Sequence, residues 1–341
     1  MTIKKLGPFV VLLSLSGNLG AQSWKPWIFQ RHPYYDPLAS EPRAAQMKVF
    51  FPGRASSAPY AVKPGQGMVW DISVGDEIPI VGWSSSSAQK EGEEAPARGW
   101  AVGVFFPLSF HMVEDMGKDE SAPILNTDYR FGTMIKGQIG LPSKLWIFED
   151  SHIGIRYVPL AHESTHLGDE FTLHATQKYG NNFRRVNVSY QYWELGGSFE
   201  PNRGLLEMKF RGGVIHEAFH KGIGWYDAAL IQPVGGTVTL ANQKYEPYTG
   251  VEAYYPPLLG GLFGSVDIRN RIVYNYDRPS RAVPEERQIS VNALLGIRQQ
   301  RPNSRIQPAY ALRYYHGVNP AGQFRSQKNY QMYGLEISFQ F

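Results

Sequence analysis

The residues best suited to do chemistry lie in the segment His-Glu-Ser-Thr-His-Leu-Gly-Asp-Glu, at positions 162–170. Alternate residues of an extended chain share one face, so His162, Ser164 and His166 would project side by side. A histidine two residues from a serine can accept the hydroxyl proton, and a nearby carboxylate such as Asp169 can orient the ring. The segment therefore predicts a lipid acyl hydrolase site that uses the His162/Ser164 pair.

Two other interpretations of this segment are open. His162 and His166, together with Asp169 or Glu170, could bind a divalent cation or another ligand at the rim of a fold. Alternatively, the same side chains form a hydrogen-bonded network that attaches a loop to the neighbouring strands and does no chemistry. The residue types alone do not name a metal.

The face on which the serine projects bears on these interpretations. Ile153 and Ile155 mark the apolar side of the same predicted strand, and His162 and Ser164, counted from them, fall on the opposite, inner face. A hydrolase of bilayer lipid needs its serine on the lipid-facing side. One extra residue reverses the alternation of side chains, so a β-bulge near Pro159 would provide that orientation.

The elements that must position this site alternate between apolar and polar residues. In the last thirteen positions of the chain, Tyr333, Leu335 and Ile337 share one face with Phe339 and Phe341, and small or polar residues occupy the other. Similar alternation occupies residues 126–139, 152–166, 183–195, 204–216, 262–276, 287–299 and 305–317, with Tyr190 and Tyr192 on the apolar face of the third of these. The pattern predicts β-strands of roughly 11–15 residues, longer than is typical of soluble proteins.

The length and composition of these strands favour a membrane barrel over a soluble sandwich. A membrane barrel turns its apolar face to lipid and its polar face to the lumen. Tyr and Trp cluster near the segment ends, and the terminal Phe341 resembles the signal by which the barrel assembly machinery recognises its substrates. We predict an all-β fold, an antiparallel up-and-down transmembrane β-barrel of about 12 strands that ends in Phe341. The count is 10 if residues 47–51 and 68–83 are not strands.

The N-terminus predicts export. Lys4 and Lys5 precede an apolar stretch, and small residues follow it, as in a secretory signal peptide. The predicted division is a signal peptide over 1–21, an extended proline-containing periplasmic arm or plug over 22–45 and a barrel over 46–341. The predicted location is the outer membrane of a Gram-negative cell envelope.

The composition excludes several functional classes. The chain has 341 residues and no Cys, which excludes disulfides, thiolate metal sites and a cysteine nucleophile. Aromatic residues make up 13% and charged residues 19%, a balance unlike that of disordered chains. The net charge of +4, with no long basic run, argues against nucleic-acid binding. We expect no cofactor, and the expected partners are outer-membrane lipid and the assembly machinery.

The polar faces of the predicted strands carry more cations than acids. The expected inward residues are Arg130, Lys136, Arg156, Arg185, Lys209, Arg211, Arg269, Arg271, Arg298 and Arg313, with Asp128, Glu207, Asp267 and Glu336. This predicts a structural or pore-type barrel with a basic lumen, in which Arg130, Arg156, Arg211 and Arg269 would bind anionic solutes. The alternative is a filled interior in which these charges pair across the barrel, as in other small barrels.

Three separated motifs resemble one known family. They are Asn-Thr-Asp-Tyr-Arg-Phe-Gly at 126–132, the segment 162–170, and Tyr-His-Gly-Val-Asn-Pro-Ala-Gly-Gln-Phe at 315–324. From about Pro33 onward the chain is similar to the bacterial domain of unknown function 1207. Thr165 stands where that family has a second serine, and Val318 and Asn319 stand where it has His-Ser. The resemblance implies an exported, barrel-like envelope protein and supplies no activity.

Overall fold

The structure is a computed structural model that describes most of the predicted strand-forming segments. The described residues are 25–28, 37–42, 44–56, 69–85, 99–115, 124–141, 149–168, 188–203, 205–219, 226–227, 232–233, 245–258, 260–273, 286–299, 307–322 and 328–340. The predicted signal peptide, Asp169, Glu170, Arg185 and Phe341 lie outside these ranges. No helix within the described ranges is long and apolar enough to cross a membrane.

Fifteen strands are present in the described part of the chain. They are β1 (Lys25–Ile28), β2 (Met47–Ser56), β3 (Val69–Ser84), β4 (Trp100–Asp115), β5 (Ile124–Gly140), β6 (Glu149–Leu167), β7 (Val188–Arg203), β8 (Leu206–Phe219), β9 (Tyr226–Asp227), β10 (Gln232–Pro233), β11 (Tyr245–Tyr255), β12 (Leu262–Val273), β13 (Glu286–Arg298), β14 (Gln307–Gly317) and β15 (Tyr330–Gln340). β9 and β10 form a separate two-stranded ribbon.

Twelve of these strands close into one antiparallel barrel. β2 to β8 and β11 to β15 pair in chain order, and β15 pairs with β2, where Ile337 lies opposite Val49. The predicted 12-stranded up-and-down barrel is therefore confirmed, and the 10-stranded alternative is wrong, because β2 and β3 are both members of the ring. We call the end where β15 terminates the C-terminal rim, and the opposite end the far rim.

The barrel wall has a short seam between β2 and β3. These strands pair only where Lys48, Val49 and Phe50 lie opposite Ser73, Ile72 and Asp71. Farther along, β3 pairs instead with β1, where Ile28 lies opposite Val81. Residues 37–42 and 44–46, which precede β2, lie in the barrel interior.

Large apolar side chains cover the outside of the barrel. Leu312, Leu295 and Ile289 are 68%, 59% and 52% exposed, and similar residues project outward from the other strands. Successive side chains of a strand point to opposite faces, so the same strands project polar residues inward. Closing the sheet pairs the strand edges around the ring, except along the β2–β3 seam, where only three residue pairs form.

In β7 the two faces are exchanged relative to the sequence-based expectation. Tyr190 and Tyr192 were expected on the apolar outer face, yet they are 4% and 3% exposed inside the barrel. The Arg130 guanidinium lies 5.4 Å from the centroid of the Tyr192 ring. The prediction was wrong because β7 also has apolar residues at odd-numbered positions, Trp193 and Leu195. In the structure these odd-numbered residues face outward, and the even-numbered tyrosines face inward.

The inner segment, described over residues 37–42 and 44–46, is hydrogen-bonded to several strands of the barrel wall. The Ala39 backbone N–H donates to Glu252 Oε2 at 2.7 Å, and the Ser265 hydroxyl donates to Ser40 Oγ at 2.7 Å. Asn292 Nδ2 donates to the Ser40 carbonyl at 2.5 Å. The segment is thus a packed part of the interior, attached to β11, β12 and β13.

Candidate functional site

A bulge in β6 decides which way the candidate site faces. Along β5, Tyr157 lies opposite Ile135 but Leu160 lies opposite Thr133, so β6 carries an extra residue between these pairs. Pro159 and Leu160 are consecutive and both exposed. Proline lacks the N–H that a strand interior would use, so it is a natural position for such an interruption.

Beyond this bulge the alternation is reversed. Glu163 and Thr165 are 4% and 0% exposed and point inward, whereas His162, Ser164 and His166 are half-buried on the outer face. The expectation that His162 and Ser164 would line the inner face is therefore wrong. The reason is the extra residue at Pro159, which turns every later side chain of β6 over.

The serine on this outer face is bonded to a histidine. Ser164 Oγ lies 3.0 Å from His166 Nε2, and the serine donates when that nitrogen carries no proton. The His166 ring packs edge-on against Tyr129, with 5.7 Å between ring centroids. His162 instead packs against the Phe131 ring, at 5.1 Å. The histidine that the fold brings to the serine is thus His166, where the sequence pattern had suggested His162.

The pair lies at one side of an apolar groove on the barrel exterior. The groove has a volume of about 720 Å³ and crosses the outer faces of β3, β4, β5 and β6, with Met47 of β2 beside the seam. Its apolar lining includes Val74, Ile78, Leu108 and Phe110. Ser164 and His166 are its polar groups on the β6 side.

The groove also contains one carboxylate, on its opposite side. Asp76 lies opposite Leu108, Leu108 opposite Phe131, and Phe131 opposite His162, so three strand spacings separate the acid from β6. At about 4.8 Å per spacing this is roughly 14 Å, far beyond hydrogen-bond range of either histidine. Asp76 therefore does not orient a histidine of β6, and the predicted orienting residues Asp169 and Glu170 lie outside the described residues.

The inward residues of the same segment join the other two sequence motifs. The Thr165 hydroxyl donates to Asn126 Oδ1 at 3.1 Å, and Asn126 Nδ2 donates to Asp128 Oδ1 at 2.9 Å. Asp128 also accepts the Gly322 backbone N–H, at 3.0 Å to Oδ2. The described parts of the three motifs, 126–132, 162–168 and 315–322, therefore meet inside the barrel, and their hydrogen bonds attach the 318–322 connection to the wall.

A half-buried histidine that the sequence gave no reason to select lies beside this junction. His111 Nε2 is in direct contact with Asp71, and its Nδ1 lies 3.6 Å from Asp128 Oδ2. Its inward position follows from pairing with Ser73 on β3 and Asp128 on β5. Only the strand register brings these residues together, because they are far apart in the sequence.

The predicted lumen arginines that the structure describes lie inside the barrel and are buried. Arg156 Nη1 lies 3.4 Å from Glu41 Oε1, and its Nε lies 3.5 Å from Glu194 Oε1. Arg269 Nε lies 2.7 Å from Asp267 Oδ1, and Arg269 Nη2 lies 3.5 Å from Glu41 Oε1. Arg130 and Arg211 are 8% and 5% exposed.

Acids balance the cations among the buried residues that the structure describes. The ten buried acids are Glu41, Asp71, Asp128, Glu163, Glu194, Glu217, Glu246, Glu252, Asp267 and Glu336, and the nine buried cations are Lys48, Arg130, Lys136, Arg156, Arg211, Arg269, Arg271, Arg298 and Arg313. Only three of these acids were expected on the inner face. Two of the buried acids that were not expected there show the reason. Glu163 points inward because of the bulge in β6, and Glu41 lies on the inner segment and not on a strand of the wall.

Metal binding finds no support in the described ranges. No group of three or more His, Cys, Asp or Glu side chains there could hold a metal ion. The ligand set suggested by the sequence combined His162 and His166 with Asp169 or Glu170, and both carboxylates lie outside those ranges.

Comparison with known proteins leaves the family open. No family model matches the sequence, and no curated protein is significantly similar to it. The resemblance of the three motifs to the domain of unknown function 1207 therefore stays a prediction.

Proposed function

We propose that the chain is an outer-membrane β-barrel that lies in the bilayer with a filled interior and acts at its lipid-facing surface, not as an open pore. The proposal rests on the contrast between the two faces of the barrel wall. Apolar side chains cover the outer face, and charged side chains that form ion pairs with one another lie on the inner face. The proposal requires the barrel assembly machinery and outer-membrane lipid as partners.

The exterior supports placement in lipid. Large apolar side chains such as Leu108 and Leu312 project outward near the centres of the strands. An apolar surface that encircles the molecule would promote association in water. Aromatic groups lie nearer the far rim, where Trp193 stacks on His216 with 5.3 Å between ring centroids and His216 packs on Tyr245 at 4.4 Å. Tyr314 of β14 lies opposite Tyr333 of β15. Such aromatic groups are typical of the interface between the apolar core of a bilayer and its headgroups.

The interior supports a filled barrel. Glu41 on the inner segment contacts Arg156 of β6 and Arg269 of β12, so one carboxylate joins two parts of the wall. Arg313 of β14 lies 3.0 Å from Glu336 of β15. Buried ions are retained only where partners compensate for the loss of water, and an open aqueous channel would leave these groups hydrated.

Planar-bilayer recording of the purified protein tests this proposal. We expect no conductance steps from the wild-type barrel. A variant in which residues 38–45 are replaced by glycine and serine should conduct, because it loses Glu41 and the bonds of Ala39 and Ser40. Stepwise conductance of the wild type would overturn the filled interior, and recovery of the mature chain in detergent-free periplasmic extract would overturn the membrane location.

A further inference from the structure

We propose that Ser164 and His166 form a catalytic pair that hydrolyses acyl ester bonds of membrane lipids, with the exterior groove holding the acyl chain. This inference rests on the proposed function, because the pair meets a lipid only if the outer face of the barrel lies in the bilayer. Three features of the pair carry it: the orientation, the neighbouring groove and the depth.

The orientation of the pair follows from the bulge. Without the extra residue at Pro159, Ser164 and His166 would point into an interior filled with charges, where no lipid could reach them. The same bulge places Glu163 and Thr165 on the inner face, where Thr165 bonds to Asn126. The inward-facing residues of this segment therefore attach β6 to the connection over 318–322. This attachment holds the outward-facing Ser164 and His166 at a defined position on the barrel exterior.

The groove has the size and chemistry of an acyl-chain site. Its volume of about 720 Å³ is within the range of roughly 300–1,000 Å³ found for small-molecule pockets. Leu108, Phe110 and Phe131 supply an apolar surface on the path between Met47 and the serine. An acyl chain lying across β3, β4 and β5 would bring its carboxyl end to β6, where the hydroxyl and imidazole are located.

The depth of the pair matches that of a lipid ester. Ser164 is three residues from Leu167, where β6 ends at the far rim. At about 3.3 Å per residue, this places the hydroxyl roughly 10 Å along the strand from its end. Tyr129 beside His166 is an aromatic residue of the kind that lies at the bilayer interface. The ester groups of lipids lie between headgroup and hydrocarbon, where water can also enter.

The reaction needs only the lipid and water. His166 Nε2 accepts the Ser164 proton as Oγ bonds to the ester carbonyl carbon, forming a tetrahedral oxyanion. The bond from carbon to the alcohol oxygen then breaks, and the imidazolium returns the proton to that oxygen. A water molecule gives a proton to His166 and attacks the acyl-serine, and the bond from carbon to Oγ breaks with the proton returning to Oγ. The products are a free fatty acid and a lipid with one ester fewer.

Serine labelling tests the pair without requiring the natural substrate. Wild-type protein in detergent micelles is treated with a fluorophosphonate probe, and the modified peptide is identified by mass spectrometry. We expect a covalent adduct on Ser164, lost in Ser164→Ala and reduced about 100- to 10,000-fold in rate in His166→Ala. Thr133→Ala is the matched control, because Thr133 is an exposed outer-face hydroxyl on β5 that does not line the groove.

Fatty-acid release then identifies the lipid. Mixed micelles containing either a glycerophospholipid or lipid A are incubated with the wild type and the three variants. We expect release in one of these arms, abolished by Ser164→Ala and unaffected by Thr133→Ala. A protein that migrates as a folded, heat-modifiable barrel yet gives neither adduct nor fatty acid would overturn this inference and leave the proposed function standing. A wild-type chain that stays folded and monomeric in water without detergent would overturn the proposed function itself.

Discussion

Replacement of Glu41 by glutamine should destabilise the barrel by about 3 kcal/mol at neutral pH. Glu41 is 7% exposed on the inner segment, and its Oε1 lies 3.4 Å from Arg156 Nη1 and 3.5 Å from Arg269 Nη2. Breaking a buried ion pair by removing one partner costs about 3–5 kcal/mol. We expect the lower end of that range, because Arg156 keeps Glu194 and Arg269 keeps Asp267 as partners.

The pKa of Glu41 leads to the same magnitude. Burial by itself raises the pKa of this carboxyl, but the charges of Arg156 and Arg269, with Arg211 and Arg130, outweigh it and lower the pKa from 4.5 to about 2. This difference corresponds to about 3 kcal/mol in favour of the ionised carboxylate in the folded protein. Because the folded-state pKa is the lower one, the stabilisation is complete above the unfolded value of 4.5 and disappears as the pH falls through about 2. At pH 3 less than half of this stabilisation should remain.

Urea unfolding in lipid vesicles, followed by tryptophan fluorescence, measures this effect through the eight Trp residues of the chain. The loss of unfolding free energy in Glu41→Gln should be about 3 kcal/mol at pH 7 and less than half of that at pH 3. Glu200→Gln, at a half-buried position near the C-terminal rim, is the control and should stay within about 0.5 kcal/mol of the wild type. The reasoning would be refuted if Glu41→Gln lost less than about 0.5 kcal/mol of unfolding free energy, as surface substitutions do. It would also be refuted if the loss did not depend on pH.

Three further substitutions test the wall and its inner junction. Gly317→Ala should destabilise the barrel by at least about 2 kcal/mol in urea unfolding, because Gly317 has φ of 144° and an added Cβ would lie 2.3 Å from Ser290 Oγ. Leu312→Arg, at the centre of β14 and 68% exposed, should cost about 2–4 kcal/mol in a bilayer, and a change within 0.5 kcal/mol would contradict lipid exposure. Asp128→Asn weakens the acceptor of the Gly322 N–H, so amide exchange in residues 318–322 should accelerate at least about tenfold while β13 stays protected.

Most of the strands could be predicted from the sequence because their alternation is local. Residues 287–299 and 305–317 were expected as strands, and the structure has β13 over Glu286–Arg298 and β14 over Gln307–Gly317. The segment over 183–195 was less well predicted. β7 runs over Val188–Arg203, and its Gly196 and Gly197 continue the strand opposite Gly213 and Gly212 of β8. Consecutive glycines in a sequence are typical of a turn. Here they belong to a β-strand because they pair with the two glycines of the next strand, which only the tertiary structure shows.

The candidate site was located by its residue types, but its geometry was not. The segment 162–170 was selected because serine and histidine at alternate positions can exchange a proton. Its orientation depended on one inserted residue near Pro159, and the sequence marks such a bulge only as a possibility. The identity of the histidine was equally undetermined, since His162 and His166 are both two residues from Ser164.

The primary structure by itself determined that this chain forms long antiparallel strands with one apolar and one charged face. That property comes from the two-residue period of an extended backbone, which each segment carries independently of its neighbours. Tertiary structure decided which acids meet the inner arginines, because the inner segment carries Glu41 to Arg156 and Arg269 across large sequence distances. It also decided that Ser164 faces outward beside His166. Beyond a bulge, the face on which each side chain lies depends on how β6 pairs with β5 and β7, and counting alternate residues along the sequence does not give it.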